Sequence, residues 1–303
     1  MIQKLIASIL PFLPKKFIWM FSKRYIAGEN IEDVVKTTYD LDAIGIAVTI
    51  DFLGEFVTTL EQARAQKETY MAIIDRFGRQ QVNVSLSLKP SSFGLLINEE
   101  ACYALVREVV IRAAANSRRV RIDMEDSKCV DREIKLYKRI HEEFPHNVGI
   151  AIQAYMRRTD ADLKNMLMWH TEETPVNIRL CKGIYNEPET IAFKKHEQIN
   201  AQFLKNLEFL LTSNIFVGIA THDKHLITGA LNIINKYGFN EDLYEFQMLY
   251  GVTPELGKEI VEKGHPLRVY VPFGKDWFGY STRRLKENPK MVGQIIKALF
   301  VRG

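Results

Sequence analysis

The chain has 303 residues, 47% of them apolar, which is enough to bury a large core as one (β/α) barrel or two ordinary domains. A net charge of +4, with no lysine-rich block and no recognition motif, excludes a nucleic-acid partner. Three widely separated cysteines, Cys102, Cys129 and Cys181, suit a reducing cytoplasm and lack any metal-type spacing.

In chain order, the first 28 residues hold no acid but carry Lys4, Lys15, Lys16, Lys23 and Arg24 among apolar residues. Pro11 and Pro14 cut the apolar run too short to span a bilayer, and no small-residue cleavage site follows it. Two readings stand: a segment drawn to anionic lipid, making a peripheral membrane contact, or a terminal helix packed on the body of the protein. Helices are expected at Pro14–Tyr25 and Ile31–Tyr39, with a turn near Gly28. From Ala43 on, β-rich runs alternate with helical ones. The strands are expected at Ala43–Ile50, Val82–Leu88, Arg119–Met124, Val148–Ala154, Val176–Cys181, Phe216–Ala220, Leu243–Tyr250 and Leu267–Val271. Between them lie Glu61–Phe77, Glu99–Asn116, Arg132–Phe144, Thr159–Thr171, Glu187–Thr212, Lys224–Tyr237 and Thr253–Lys263, each long enough for a crossover helix. The alternation predicts an α/β fold, a (β/α)8 TIM-type barrel over residues 43–303, with an N-terminal helical segment, 1–42, outside it.

A barrel places its chemistry at the C-terminal ends of the strands. There the sequence puts Asp51, Lys89, Asp123 with Glu125, Gln153 with Tyr155, Arg179 with Lys182, Thr221 with His222, Gln247, and Tyr270. Any one is ordinary for a loop start; all eight together form a polar ring around one mouth.

Within that ring, Arg179, Lys182 and Gly183 set two cations beside a backbone that a ligand can approach closely. The pattern suits a phosphate or the electron-rich edge of a flavin, and equally a tight turn with surface charge. Thr221 and His222 suit hydrogen bonding or stacking better than base catalysis, because no nucleophile elbow accompanies them. Asp123, Glu125 and Asp126 form the densest acidic cluster, and an Asp123–Lys89 ion pair is expected. On the C-terminal helix, at about 100° per residue, Trp277, Tyr280, Arg283, Arg284 and Glu287 share one side. Paired arginines beside aromatics suit a small carboxylate with an apolar ring, and also a solvated basic face. No G-x-G-x-x-G follows a strand, there is no P-loop, and no metal site is expected.

Taken together and in order, these segments resemble the proline dehydrogenase family. The resemblance covers residues 43–290 and runs through Ser87-Leu88-Lys89-Pro90, Arg121-Ile122-Asp123-Met124-Glu125, Ile152-Gln153-Ala154-Tyr155 and Ile178-Arg179-Leu180-Cys181-Lys182-Gly183. It continues through Ala220-Thr221-His222, Glu245-Phe246-Gln247-Met248-Leu249-Tyr250-Gly251, Arg268-Val269-Tyr270-Val271-Pro272-Phe273-Gly274, and Arg283-Arg284-Leu285-Lys286-Glu287-Asn288. The last piece and the Ile-Arg-Leu-x-Lys-Gly piece are the most specific.

The resemblance implies a (β/α)8 barrel that binds FAD and oxidises L-proline to Δ1-pyrroline-5-carboxylate, with electrons passed to a quinone in the cytoplasm or at the inner face of the cell membrane. It implies that Lys89, Arg283 and Arg284 hold the substrate carboxylate, and that Tyr270, Tyr280 and Leu249 pack around its ring. Asp123 would pair with the lysine near the flavin ring. Gln153, Arg179, Lys182, Gly183, Thr221, His222, Gln247 and Glu287 would contact FAD, with Trp277 covering part of it. Two other readings stand beside this one: a flavin barrel for another cyclic amino acid such as hydroxyproline, and a barrel that binds a carboxylate without chemistry.

Overall fold

The computed structural model describes residues 18–19, 22–78 and 80–287, with side chains described as far as Thr282. Eight parallel strands close into one barrel in sequence order: β1 Ala47–Phe52, β2 Val84–Leu88, β3 Val120–Ile122, β4 Val148–Gln153, β5 Asn177–Cys181, β6 Phe216–Ala220, β7 Tyr244–Leu249 and β8 Leu267–Phe273. Helix α1 (Ile31–Asp42) precedes β1. The crossovers are α2 (Leu60–Phe77), α3 (Glu99–Ala115), α4 (Val130–Glu143), α5 (Thr159–Leu167), α6 (His196–Thr212), α7 (Lys224–Tyr237) and α8 (Pro254–Glu262), and α9 (Trp277–Glu287) follows β8. The expected (β/α)8 architecture is the one observed.

Side chains alternate across each strand. On β5, Ile178 and Leu180 are buried beneath the helices, while Asn177, Arg179 and Cys181 share the opposite parity. On β8, Val269 and Val271 go outward and Arg268 and Tyr270 go inward. Outward residues such as Val48, Ile50, Leu86, Ile150, Ile219 and Phe246 make the apolar layer under the helices. The inner layer is polar instead. At its floor Arg268 donates to Glu245 at 2.6 Å, Gln247 donates to the same carboxylate at 2.7 Å, and Arg121 reaches the carbonyl of Asn177 at 3.0 Å. Gly149 and Gly218 leave the room: a Cβ at either would lie within 2.6 Å of the Arg121 guanidinium or the Gln247 amide. This floor fixes the strands beneath the mouth.

Local signals set the helix starts. Thr59 accepts from the Gln62 amide while the Gln62 side chain accepts from Thr59, and Asp223 accepts from the His225 amide. The largest departures from the expected boundaries fall at three places. Helix α1 runs on to Asp42, so β1 starts at Ala47 after a turn with Gly45 at φ +75°. The expected helix from Glu187 starts only at His196. Pro188 follows Glu187, whose carboxylate accepts from the Ser127 amide and hydroxyl at 2.7 Å, and Ala192 bridges to Met156. Helix α5 ends at Leu167, before a turn in which Thr171 and Thr174 bond each other.

Most of the expected helix Pro14–Tyr25 lies outside the described residues. Of its described part, Ile18, Ser22 and Tyr25 are buried, as is Ile26 beyond it. Ala27 donates to the carbonyl of Pro272, and Gly274 donates to that of Gly28. The chain before α1 is therefore packed along the end of β8.

Candidate active site

At the C-terminal ends of the strands opens a cavity of about 400 Å³. Its buried charges form two groups. Lys89, just past β2, donates to Asp51 at the end of β1 at 2.8 Å and lies 3.9 Å from Glu55. Burial works against the Lys89 ammonium, but Asp51, Tyr270, Asp123 and Glu55 outweigh it and hold the amine protonated well above its ordinary range. Burial likewise pushes the Asp51 carboxyl up, and Lys89 pulls it back. Asp123, past β3, collects three donors: the Ser87 hydroxyl at 2.7 Å, the Tyr270 hydroxyl at 2.8 Å and the Arg179 guanidinium at 3.2 Å. The Arg179 guanidinium also stacks over the Tyr270 ring, 4.6 Å from its centroid. Burial opposes the charge on Arg179, and Asp123 with Tyr270 more than restores it.

The β5–β7 side is built differently. Lys182 donates to Asp223 at 2.6 Å and lies 3.1 Å from His196. Burial raises the Asp223 carboxyl, but the bond from Lys182 and its charge outweigh it, so it ionises below its usual range. Gly183 takes φ +108°, and the Tyr155 ring occupies the place of a Cβ there, 2.2 Å from it. Only glycine suits that turn. The His222 ring nitrogen Nε2 accepts from the Leu249 amide at 2.8 Å, which makes Nε2 the unprotonated nitrogen and ties β6 to β7. Among the described residues, the buried polar atoms on cavity-lining residues that lack a hydrogen-bond partner in the protein include Arg179 Nε and Gln153 Oε1. A donor and an acceptor left unmet at a cavity wall mark where a polar ligand is to be held.

With this geometry in view, comparison with known proteins is decisive. The chain matches the family described as proline dehydrogenase over residues 34–297. It is 34% identical to proline dehydrogenase 1 of Bacillus subtilis (strain 168) over 278 residues, 92% of this chain and 90% of that protein. The chain belongs to the proline dehydrogenase family. Another relative, the proline dehydrogenase of Deinococcus radiodurans, is 28% identical over 291 residues, 95% of this chain and 92% of that one. Among solved structures, proline utilization A (PutA) from Bdellovibrio bacteriovorus inactivated by N-propargylglycine superposes with a TM-score of 0.82 at 23% identity. The match covers 88% of this chain but only 32% of that one, so the chain spans about a third of its length. A PutA from Bradyrhizobium japonicum gives a TM-score of 0.76 at 20% identity over 88% of this chain and 31% of that one. At these identities the two structures show the shared barrel.

Set against the family's expected residues, the cavity gathers those from β2 through β8. Lys89 and Asp123 line it from the β2 and β3 ends, and Gln153, Arg179, Lys182 and Gly183 from β4 and β5. Thr221, His222, Gln247 and Leu249 line it from β6 and β7, and Tyr270 and Tyr280 from β8 and α9. Arg283, Arg284 and Glu287 sit on the described backbone of α9, but their side chains lie outside the described residues.

Two expectations are corrected. Lys89 pairs with Asp51 on β1, while Asp123 takes Arg179. Trp277 does not line the cavity: its ring packs 4.7 Å from that of Trp19, and its Nε1 donates to Glu29 at 2.8 Å. Helical periodicity gave Trp277 and Tyr280 a common side, but the chain before α1 covers the first turn of α9 and leaves only the next turn at the mouth. Glu55 and Asp223 were not singled out as members of the site. Glu55 lies four residues beyond the ring position Asp51, in a loop whose path the sequence does not set. Asp223 directly follows His222, and its role as N-cap of α7 was its one local signal.

Proposed function

We propose that the protein oxidises L-proline to Δ1-pyrroline-5-carboxylate, with FAD as its cofactor in the barrel mouth and a quinone as the next electron acceptor. One observation carries this reading. A buried guanidinium with an unmet Nε–H, fixed by Asp123 and Tyr270, shares a cavity with an equally buried amide oxygen and a lysine kept charged by Asp51. The donor set fits a flavin: Arg179 and Lys182 at the β5 end offer cations, and Gln153 of β4 and Thr221 and His222 after β6 flank them on the neighbouring strand ends. When bound, a flavin supplies a two-electron acceptor for the hydride leaving C5 of proline.

The rest is the work of the chain's own residues. Lys89, with Arg283 and Arg284 on α9, meets the substrate carboxylate, so C5 is the carbon presented. Asp51 keeps Lys89 charged for that contact. Tyr270, held by Asp123, forms a flat wall for the ring, and Leu249 and Tyr280 exclude water beside it. Arg179 places fixed positive charge where electron density grows on reduction. A cytoplasmic site agrees with three thiols that stay unpaired. Among the described residues no helix is long and apolar enough to cross a membrane, so contact with a membrane quinone would be made from the surface.

The test is spectroscopic. Purified with FAD and kept free of oxygen, the protein should show a flavin spectrum that L-proline bleaches, that 4-hydroxyproline bleaches far more slowly, and that a soluble quinone restores. A colourless protein indifferent to FAD, or a flavin that proline leaves oxidised, would reject the reading.

A further inference from the structure

Beyond the groups that line the cavity, a buried hydrogen-bonded relay crosses the barrel mouth. Glu125, fully buried on the loop after β3, is absent from the cavity wall. Its carboxylate accepts from the Ser91 amide at 2.8 Å through one oxygen and from the Ser91 hydroxyl through the other. Ser91 stands two residues beyond Lys89, in the 3₁₀ turn Pro90–Phe93, and is itself buried. Having donated its proton to Glu125, the Ser91 hydroxyl accepts from the Phe56 amide at 3.1 Å. Phe56 belongs to the loop after β1 and takes φ +53°, a conformation that costs energy for a bulky side chain and persists only when held. The residue before it is Glu55, which lines the cavity 3.9 Å from the Lys89 ammonium. On the other side, the Glu125 amide donates to Glu133 of α4, and the Gln153 side chain donates to the Glu125 carbonyl at 2.9 Å.

We propose that the Glu125–Ser91 pair positions the site: through the Phe56 amide it sets the strained β1 loop, and so holds the Glu55 carboxylate beside Lys89 at the place where proline enters. The inference rests on the functional reading above. Its logic is directional. Above about pH 7, where Glu125 is ionised, its carboxylate only accepts, so it orients the Ser91 proton inward, and the hydroxyl lone pairs are then turned to the Phe56 N–H. Without the relay, the loop loses the bond that offsets its positive φ, and Glu55 no longer has a fixed distance to the lysine. Glu125 and Ser91 touch neither substrate nor cofactor, so they act through Glu55 and Lys89.

Two measurements test this on the flavin-loaded protein, with the first repeated without ligand. In Ser91→Ala the Phe56 amide should exchange its hydrogen on the order of tenfold faster, the loss of one net hydrogen bond, while exchange in α2 and β1 stays as it was. In steady-state assays Ser91→Ala should raise the proline KM on the order of fivefold, with kcat changed less than about twofold. Glu125→Gln, which keeps one acceptor oxygen of two, should move both readouts in the same direction. In a Glu55→Gln background, Ser91→Ala should add nothing further to KM, because its effect passes through that carboxylate. Unchanged exchange at Phe56, or KM effects of Ser91→Ala and Glu55→Gln that add, would overturn the proposal. A wild-type protein that does not oxidise proline would overturn the functional reading instead, and the exchange at Phe56 would still decide whether the tether exists.

Discussion

A carboxylate that collects a hydroxyl, a phenol and a guanidinium has its direction fixed, and Asp123 is in that position, with Ser87, Tyr270 and Arg179 around it. The guanidinium is the member with a donor still unmet. Arg179→Ala should therefore cost FAD retention on the order of tenfold or more, the loss of one charge-assisted hydrogen bond, read as flavin-to-protein ratio after gel filtration. A normal ratio together with a normal rate of reduction would remove Arg179 from the cofactor site. Strand parity alone made Arg179 and Asp123 inward-facing candidates, since each follows an apolar residue at a strand end. Their partnership was not legible in the same way. Asp123 and Lys89 looked like partners because their strands are neighbours, yet β1 is also next to β2, and the lysine turns to Asp51. Sequence order gives adjacency around a barrel but not which of two flanking carboxylates a long, flexible ammonium will take.

At the scale of elements, the chain before α1 matters most. Residues 24–30 lie along the end of β8, with backbone bonds to Pro272 and Gly274, and Glu29 holds Trp277 at the first turn of α9. Helix α9 carries Arg283 and Arg284, so this strap braces the element proposed to grip the substrate. Its fit against the β7 loop is tight. Gly251 takes φ +70°, and a Cβ there would lie 1.7 Å from the Arg24 carbonyl oxygen, a backbone atom that cannot swing away. Gly251→Ala should thus destabilise the protein by more than about 1 kcal/mol. It should also expose the strap to trypsin after Arg24, seen as a lowered urea midpoint and a faster cut. An unchanged midpoint and cleavage rate would mean that the strap does not bind in this way. Between lipid contact and packing on the barrel, the composition of residues 1–28 did not choose, because the same basic and apolar residues serve both; for the described residues 18–19 and 22–28 the packing answers.

For the molecule as a whole, buried acids give stability a definite pH dependence. Burial pushes Glu125 up to about 7, with the Ser91 bonds pulling it back, and burial with the Glu125 charge raises Glu133 well above the usual carboxylate range. Their oxygens and the Cys129 sulfur lie within 4.8 Å of one another. An unfolded chain ionises both carboxyls near 4.5, whereas the folded one keeps the Glu125 proton to about 7 and holds Glu133 protonated well above the usual carboxylate range. The native state thus binds more protons in that window, and these two groups make stability fall as pH rises through it. Glu133→Gln removes one such group and keeps an acceptor for the Glu125 amide. Its stability relative to wild type should be greater at pH 8 than at pH 5, read from urea unfolding at the two values. A difference that does not change with pH would show that Glu133 is not protonated in the fold.

The sequence by itself determined the barrel and its inward ring. Parallel strands covered by helices must be apolar on the outward parity, and whatever polar residues alternate with them must point inward and surface together at one mouth. It also carried the family, because Arg179-Leu180-Cys181-Lys182-Gly183 and the run from Tyr270 to Glu287 are long and collinear. What only the tertiary structure decided were the pairings: Lys89 with Asp51, Lys182 with Asp223, Trp277 with Glu29, and Glu125 with Ser91 and through it Phe56. Each joins side chains from different strands or loops. Periodicity fixes the direction in which a side chain leaves its own strand, but the distance to a partner depends on loop paths and barrel closure, and hydrogen bonds and buried ion pairs are decided within a few tenths of an ångström.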